Sequence, residues 1–340
     1  MSPALSKLHA EAVSLQAGAL ADSTSHKYRA YEVYWVRFLL VFGLLPFLIN
    51  PTEAVVLLYV AYLARSAQHG AVKNYLKGLQ RFLTSRGWVG HMSQFWGVQQ
   101  ALLGLRRAGR EVARKLPITP FVLMKVLSVL RLANDVEVML FTAMLIAFAA
   151  FLRKANVCAS STSVTHVQRS LLRKDVQVDL QQYCLVIKLR FMKNAQFADA
   201  VHKVVVAGCR GHPLDPVHWW CRYVERVPAA ADAAAFGFMS AGTYVPLVHA
   251  QFVRLVKALI SRAGIDASCF SGHSFRRGAA TFSFLVGLPE ALIKELGAWR
   301  SQVYQVYLDM PLAKKLAVHR TWFQAMSSGQ LGEELLPQGA

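Results

Sequence analysis

A chain of 340 residues exceeds the size of one ordinary core, so two domains are expected. A hydrophobic content of 54% excludes a disordered chain. With 38 Lys+Arg against 19 Asp+Glu the net charge is +19 and the pI near 10.0, which calls for a polyanionic partner, either nucleic acid or an anionic membrane.

In chain order, the first third reads as helix. Apolar positions over residues 4–20 recur at helical spacing, and Asp22-Ser-Thr-Ser offers N-caps for a second helix. That helix carries Tyr28, Tyr31, Tyr34, Trp35, Phe38 and Leu39 mostly at three- and four-residue steps, a stripe expected to pack in the core. Pro46 and Pro51 punctuate, and helices follow over 53–65, 71–84 and 92–107. Between Arg65 and Lys115 the charge is one-sided, with Glu111 the single acid. Lys73, Lys77 and Arg81 fall four residues apart and share one helix face. Solvated faces normally mix signs, so this stripe is expected to lie along a phosphate backbone, with Arg106, Arg107 and Arg110 next in line.

Residues 114–120, charged and then broken by two prolines, read as a linker between a helical domain over 1–113 and a second domain over 121–326. The second domain opens with helices over 121–132 and 136–152. Val138 to Leu152 is the longest uncharged apolar run, and its fifteen residues fall short of the roughly 18–20 needed to span a bilayer. A buried helix accounts for it, and for the mean hydropathy of +0.32. No membrane association is expected, and the N-terminus lacks the charged-then-apolar order of a secretory signal. Residues 176–180, 184–191 and 201–207 alternate and are β-branched, the pattern of a small antiparallel sheet. From Asp215 the chain is helical again apart from a Gly-rich turn over 236–245, and 327–340 reads as a loose tail. The fold class is therefore mainly α with a small antiparallel β-sheet (α+β).

Five scattered cysteines fit a reducing compartment with free thiols. Cys209-x2-His212 and His218-x2-Cys221 have metal-ligand types, but the gap between the pairs is short and holds Pro213 and Pro216, so a proline-punctuated turn into a helix is expected and no metal.

The chemistry concentrates in Ser271-Gly-His-Ser-Phe-Arg-Arg-Gly-Ala-Ala-Thr and in Leu296-Gly-Ala-Trp-Arg-Ser-Gln-Val-Tyr-Gln-Val-Tyr307. His273 and Arg276, three apart at a helix start, project to one side beside amides that favour an anion. A second helix, opened by Pro289 and closed by Gly297, leads to Trp299 and a short helix with Tyr304 and Tyr307. A cationic cradle near a tyrosine hydroxyl, in a basic protein, suggests phosphoryl chemistry on tyrosine.

This region resembles the C-terminal signature of the tyrosine recombinase (phage integrase) family, in which a His-x-x-Arg box precedes a Leu-Gly-x-Trp/His element and the nucleophilic tyrosine. His273, Arg276, Leu296-Gly297, Trp299 and Tyr307 match it. The wording is most similar to eukaryotic transposon recombinases of the DIRS and Crypton types. The resemblance implies a helical DNA-gripping domain ahead of a catalytic domain, double-stranded DNA as partner, tetramer assembly on DNA, and cutting and rejoining through a 3′-phosphotyrosine at Tyr307 without nucleotide, metal or other cofactor. It implies a further arginine on an apolar helix, supplied by Arg153, and a lysine on a β-hairpin, supplied by Lys193. Arg153 and Arg276 would hold the scissile phosphate, His273 would assist proton transfer, Trp299 would donate its indole N–H, and Lys193 would protonate the leaving 5′-oxygen. A nuclear location is implied in a eukaryote and a cytoplasmic one otherwise. Asn156 departs from the acidic residue common three places after the first arginine; an amide there is expected to hold the guanidinium by a hydrogen bond. Tyr307 follows Trp299 by eight residues, which fits the transposon branch, and Tyr304 is the rival nucleophile. A type IB topoisomerase and a domesticated, non-cutting DNA-binding protein are the alternatives.

Overall fold

A computed structural model of the protein describes residues 3–19, 22–109, 115–191, 202–297 and 312–333. The chain falls into two units, Met1–Ala113 and Arg114–Ala340, each with its own apolar core.

Helices build the first unit: α1 (Pro3–Gly18), α2 (Asp22–Val41), α3 (Glu53–Ala64), α4 (His69–Thr84) and α5 (Trp96–Ala108). Thr52 caps α3 by accepting the Val55 N–H at 3.4 Å. The aromatic stripe of α2 divides. Trp35, Phe38 and Leu39 are buried against Val56 and Tyr59 of α3 and Leu79 and Leu83 of α4. Tyr28 and Tyr31 are half-buried and Tyr34 is 44% exposed, so these three do not join the core as expected. Tyr31 and Tyr34 pack instead on Tyr75 of α4, at 4.6 and 5.1 Å between ring centres. The helix expected over 92–107 is broken. A 3-10 turn, Met92–Gln94, precedes α5, because the Gln80 side chain captures the Met92 N–H at 2.8 Å and Phe95 is extended.

The second unit is organised around a helix buried on all sides. It comprises α6 (Pro120–Ser128), α7 (Asp135–Ala149), α8 (Lys154–Val157), α9 (Val164–Gln168), β1 (Val176–Asp179), β2 (Cys184–Leu189), β3 (His202–Ala207), α10 (Pro216–Arg226), β4 (Gly237–Ser240), β5 (Thr243–Pro246), α11 (His249–Arg262), α12 (Ser274–Leu285), α13 (Glu290–Leu296) and α14 (Leu312–Ser327). Every residue of α7 from Val138 to Ala149 is buried, beneath α6, α10, α11, α12 and the β4–β5 hairpin. Its one buried hydroxyl, Thr142, donates to Val138 O at 2.8 Å and lies 3.2 Å from Trp219 O, so no polar group is stranded there. Strands β1, β2 and β3 form an antiparallel sheet in that order, as expected, and α14 lies against β3.

Three expectations are corrected. The Gly-rich turn over 236–245 is a hairpin: β4 and β5 pair antiparallel through Ala241 and Gly242, both at positive φ (48° and 76°). A two-residue connection with both φ positive matches the twist of its strands, but Ala-Gly lacks the Asn-Gly signal that announces one. The helix expected over 121–132 stops at Ser128. The segment read as a linker is, from residue 115, packed into the second unit. Leu116 N–H donates to Cys269 O at 2.8 Å, Ile118 N–H to Ser274 O at 3.0 Å, and Ile118 is fully buried.

Gly278 of α12 permits that packing: a Cβ there would lie 1.8 Å from the Ile118 carbonyl oxygen, which is backbone and cannot swing aside. Gly278→Ala is therefore expected to destabilise the second unit by roughly 3 kcal/mol, the upper part of the overpacking range. Denaturant unfolding of both proteins checks this. An unchanged midpoint would show that α12 and 115–118 part without cost.

Candidate active site

Helix α12 begins in a hydroxyl-rich turn. Ser274 Oγ accepts from Ser271 N–H at 2.9 Å, and Ser271 Oγ accepts from His273 N–H at 3.3 Å. This leaves His273 exposed at the head of the helix. Phe275, Ala279 and Phe282 turn into the core and carry Arg276 with them, so its side chain is only 7% exposed. Arg276 is anchored by two carbonyls: Nη1 donates to Phe151 O at 3.2 Å, and Nη2 to Gly297 O. Burial, and then the nearby Arg153 guanidinium, push its pKa down to about 10, which keeps it charged at neutral pH. Arg153 heads α8 and is partly exposed. Two guanidiniums that repel each other in a partly desolvated place are relieved by an anion between them.

The turn that delivers Arg153 is unusual. The helix expected to run to Leu152 ends at Ala149, because Phe151 is left-handed (φ 53°). Phe151 N–H bonds to Phe148 O at 3.1 Å and Leu152 N–H to Ala147 O at 2.8 Å, the paired bonds of a Schellman cap. A glycine normally fills this position, and a phenylalanine pays a steric cost of about 1–2 kcal/mol to be there. Its ring is buried 5.5 Å from that of Trp322 in α14.

Asn156 does not hold the Arg153 guanidinium as expected. Its Oδ1 accepts the Arg153 backbone N–H and its Nδ2 donates to Phe191 O, both at 3.3 Å. It thereby ties the start of α8 to the end of the β2 arm. That arm is also fixed by Arg190, whose Nε and Nη2 donate to the buried Asp175 carboxylate at 3.0 and 2.8 Å.

Among the residues singled out in the sequence, the structure brings Arg153 and Arg276 together, with His273 one turn ahead of Arg276. Lys193 lies outside the described residues, as do Trp299, Tyr304, Tyr307 and Arg110. Of the described flanks of 298–311, Gly297 O accepts from Arg276, while beyond Leu312 the chain meets the turn before Arg153: His319 Nε2 bonds Ala149 O at 2.9 Å and Trp322 packs on Phe151. Phe151 and His319 were not picked out as positioning groups. Ala-Ala-Phe-Leu reads as uninterrupted helix, and a lone buried histidine looks like any core residue.

The Cys209/His212 and His218/Cys221 pairs form a turn into α10, capped by Asp215 through the Val217 N–H at 2.9 Å. His212 Nδ1 accepts the Leu214 N–H at 3.1 Å, and burial lowers its pKa. Among the described residues no group of three or more His, Cys, Asp or Glu could hold a metal ion, and no helix is long and apolar enough to cross a membrane. In the first unit, Lys73, Lys77 and Arg81 are exposed along one face of α4, with the Arg81 guanidinium 5.7 Å from the Tyr28 ring centre. Arg106 and Arg107 are exposed in the last turn of α5.

No protein-family model matches this chain, and no curated protein does. Solved structures do. A lambda integrase dimer bound to a COC′ core site superposes with a TM-score of 0.55 at 15% identity, over 89% of this chain and 94% of that one. The Tn1549 transposon integrase in complex with a circular intermediate DNA gives 0.53 at 12% identity, over 87% and 99%. The XerH site-specific recombinase in a post-cleavage complex with difH gives 0.50 at 16% identity, over 82% and 72%. These likenesses span both units and establish one thing about the chain: it has the fold of the tyrosine recombinases.

Proposed function

We propose that this protein is a site-specific DNA recombinase of a mobile element, similar to the DIRS and Crypton types, that cuts and rejoins double-stranded DNA through Tyr307. The observation that carries the reading is the Arg153–Arg276 pair, with Arg276 buried and anchored on two carbonyls and Arg153 beside it, on a fold whose solved examples include integrases bound to DNA. In this reading residues 1–113 are a DNA-gripping domain, 121–326 the catalytic domain, and four copies assemble on DNA. A eukaryotic host would place it in the nucleus.

The Tyr307 oxygen attacks the scissile phosphorus while its proton leaves, with help from His273. Arg153 and Arg276 stabilise the charge on the non-bridging oxygens, and Trp299 donates its indole N–H there. The bond to the 5′-oxygen breaks as Lys193 gives that oxygen a proton. A 5′-hydroxyl from a second strand then reverses the step, so phosphodiester energy is conserved and no cofactor is consumed.

The test is covalent trapping. Nicked duplexes randomised around the nick lose a short strand after cleavage and cannot be resealed, so a recombinase accumulates as a denaturant-stable adduct. No adduct, with DNA binding retained, would leave a non-cutting DNA-binding protein. Relaxation of a supercoiled plasmid without recombination would favour a topoisomerase.

The stripe on α4 makes a separate prediction. Replacing Lys73, Lys77 and Arg81 together by Ala should weaken binding to every DNA sequence alike, because backbone contacts carry no sequence information. The slope of log affinity against log salt should fall by about 0.9 for each phosphate that is no longer neutralised. An unchanged affinity and slope would make the stripe a solvated surface, and Arg106 and Arg107 the next candidates.

A further inference from the structure

An aromatic cluster joins the three elements on which the candidate site depends. Phe148 comes from the last turn of α7 and Phe151 from the turn just after it, Phe282 from α12 six residues beyond Arg276, and Trp322 from α14. Trp322 stands 5.3 Å from Phe148, 5.5 Å from Phe151 and 6.3 Å from Phe282. His319 is 5.0 Å from the Trp322 ring and bonds to Ala149 O, two residues before the left-handed turn. The Trp322 indole N–H is buried without a hydrogen-bond partner among the described residues, so this ring serves the cluster by its shape. Trp322 is the hub of these contacts, and one of the rings it touches is that of Phe151, whose backbone does two things. Its left-handed conformation turns the chain from α7 into Arg153, and its carbonyl accepts from Arg276.

We infer that Phe151 is a positioning residue: its ring, clamped by Trp322, holds the left-handed turn that aims Arg153 and seats Arg276. The inference rests on the recombinase reading for its consequence in catalysis and on the turn geometry for its substance. A glycine would adopt the turn freely but could be turned out of it equally freely. A phenylalanine resists the turn by itself and holds it only while α14 is docked. The helix that follows the tyrosine-bearing segment therefore helps decide whether the arginine pair is assembled.

The test compares Phe151→Gly with Phe151→Ala. Both lose the ring, but Ala keeps the penalty for left-handed backbone and Gly does not. Adduct formation on the randomised nicked duplexes, at saturating protein and at a temperature where both variants are folded, should be about 5–30-fold slower for Ala than for Gly. DNA affinity should be equal in the two. A role in packing alone predicts the reverse order, since Ala fills more of the space. Ala as fast as Gly, or both at the wild-type rate, would overturn the inference.

Amide hydrogen exchange at Leu152, whose N–H closes the cap on Ala147 O, gives the same comparison without DNA. Exchange should be faster in Phe151→Ala than in Phe151→Gly, and the opposite order would overturn the inference. If the wild-type protein forms no adduct, the recombinase reading falls, while this exchange measurement still decides the role of Phe151. Should Phe151→Ala not fold, Trp322→Phe takes its place, with faster Leu152 exchange than wild type expected and unchanged protection fatal to the idea.

Discussion

Tyr307→Phe is expected to abolish covalent adduct formation while leaving DNA affinity within a few-fold of wild type. The substitution removes one hydroxyl and nothing else, so shape and charge at the DNA surface are retained. A phenol with a pKa near 10 attacks phosphorus at neutral pH only where its proton is accepted and the developing charge is met by cations. In the proposed mechanism the partly buried arginine pair would supply that charge, and Arg276 remains protonated under these conditions. The backbone from Gly297, which is bonded to Arg276, leads directly into the segment that carries Tyr307. Tyr304→Phe lies in the same segment and should still form the adduct. Electrophoresis of radiolabelled nicked duplexes under denaturing conditions, followed by peptide mapping of the adduct, checks both variants. An adduct that survives in Tyr307→Phe and disappears in Tyr304→Phe would transfer the nucleophile to Tyr304.

What the sequence made legible was what repeats or has side-chain chemistry. The burial of α7 from Val138 to Ala149 and the three-stranded sheet follow from apolar pattern: a fifteen-residue uncharged run has nowhere to go except a core, and the strands alternate. Arg153 and Arg276 could be picked out because their residue types and spacing match a known signature. What stayed hidden was set by backbone geometry. Nothing in Ala-Ala-Phe-Leu announces a left-handed phenylalanine, since the preference for glycine there is overridden by a ring contact with Trp322, some 170 residues away. Asn156 was visible as a departure, but its partners are backbone groups, Arg153 N–H and Phe191 O, and which carbonyl lies within reach is a tertiary fact. The hairpin at Ala241–Gly242 was missed for a related reason: the turn needs two positive φ values, and an alanine in such a position carries no signal.

Arg276→Lys should be almost as damaging as Arg276→Ala, with adduct formation about 10²–10³-fold below wild type at neutral pH. Charge alone does not explain why an arginine sits here. The guanidinium reaches two carbonyls, Phe151 O and Gly297 O, through two different nitrogens, and a planar fork with five donors can meet both and still face an anion. A lysine ammonium is a single point and cannot span them. The buried environment adds a second penalty. Burial and the Arg153 charge already bring Arg276 down to about 10. The same forces acting on a lysine, which starts near 10.4, would bring it toward neutrality and remove its charge from part of the population. A cation whose pKa is lowered is protonated only below that pKa, so the residual activity of Arg276→Lys should rise as pH is lowered through neutrality, relative to wild type at each pH. Arg276→Ala has nothing to protonate there and should show no such relative recovery. Single-turnover adduct formation measured across the neutral range distinguishes the two variants. A lysine variant within a few-fold of wild type at every pH would mean that the forked geometry is dispensable and that Arg276 contributes only as a positive charge.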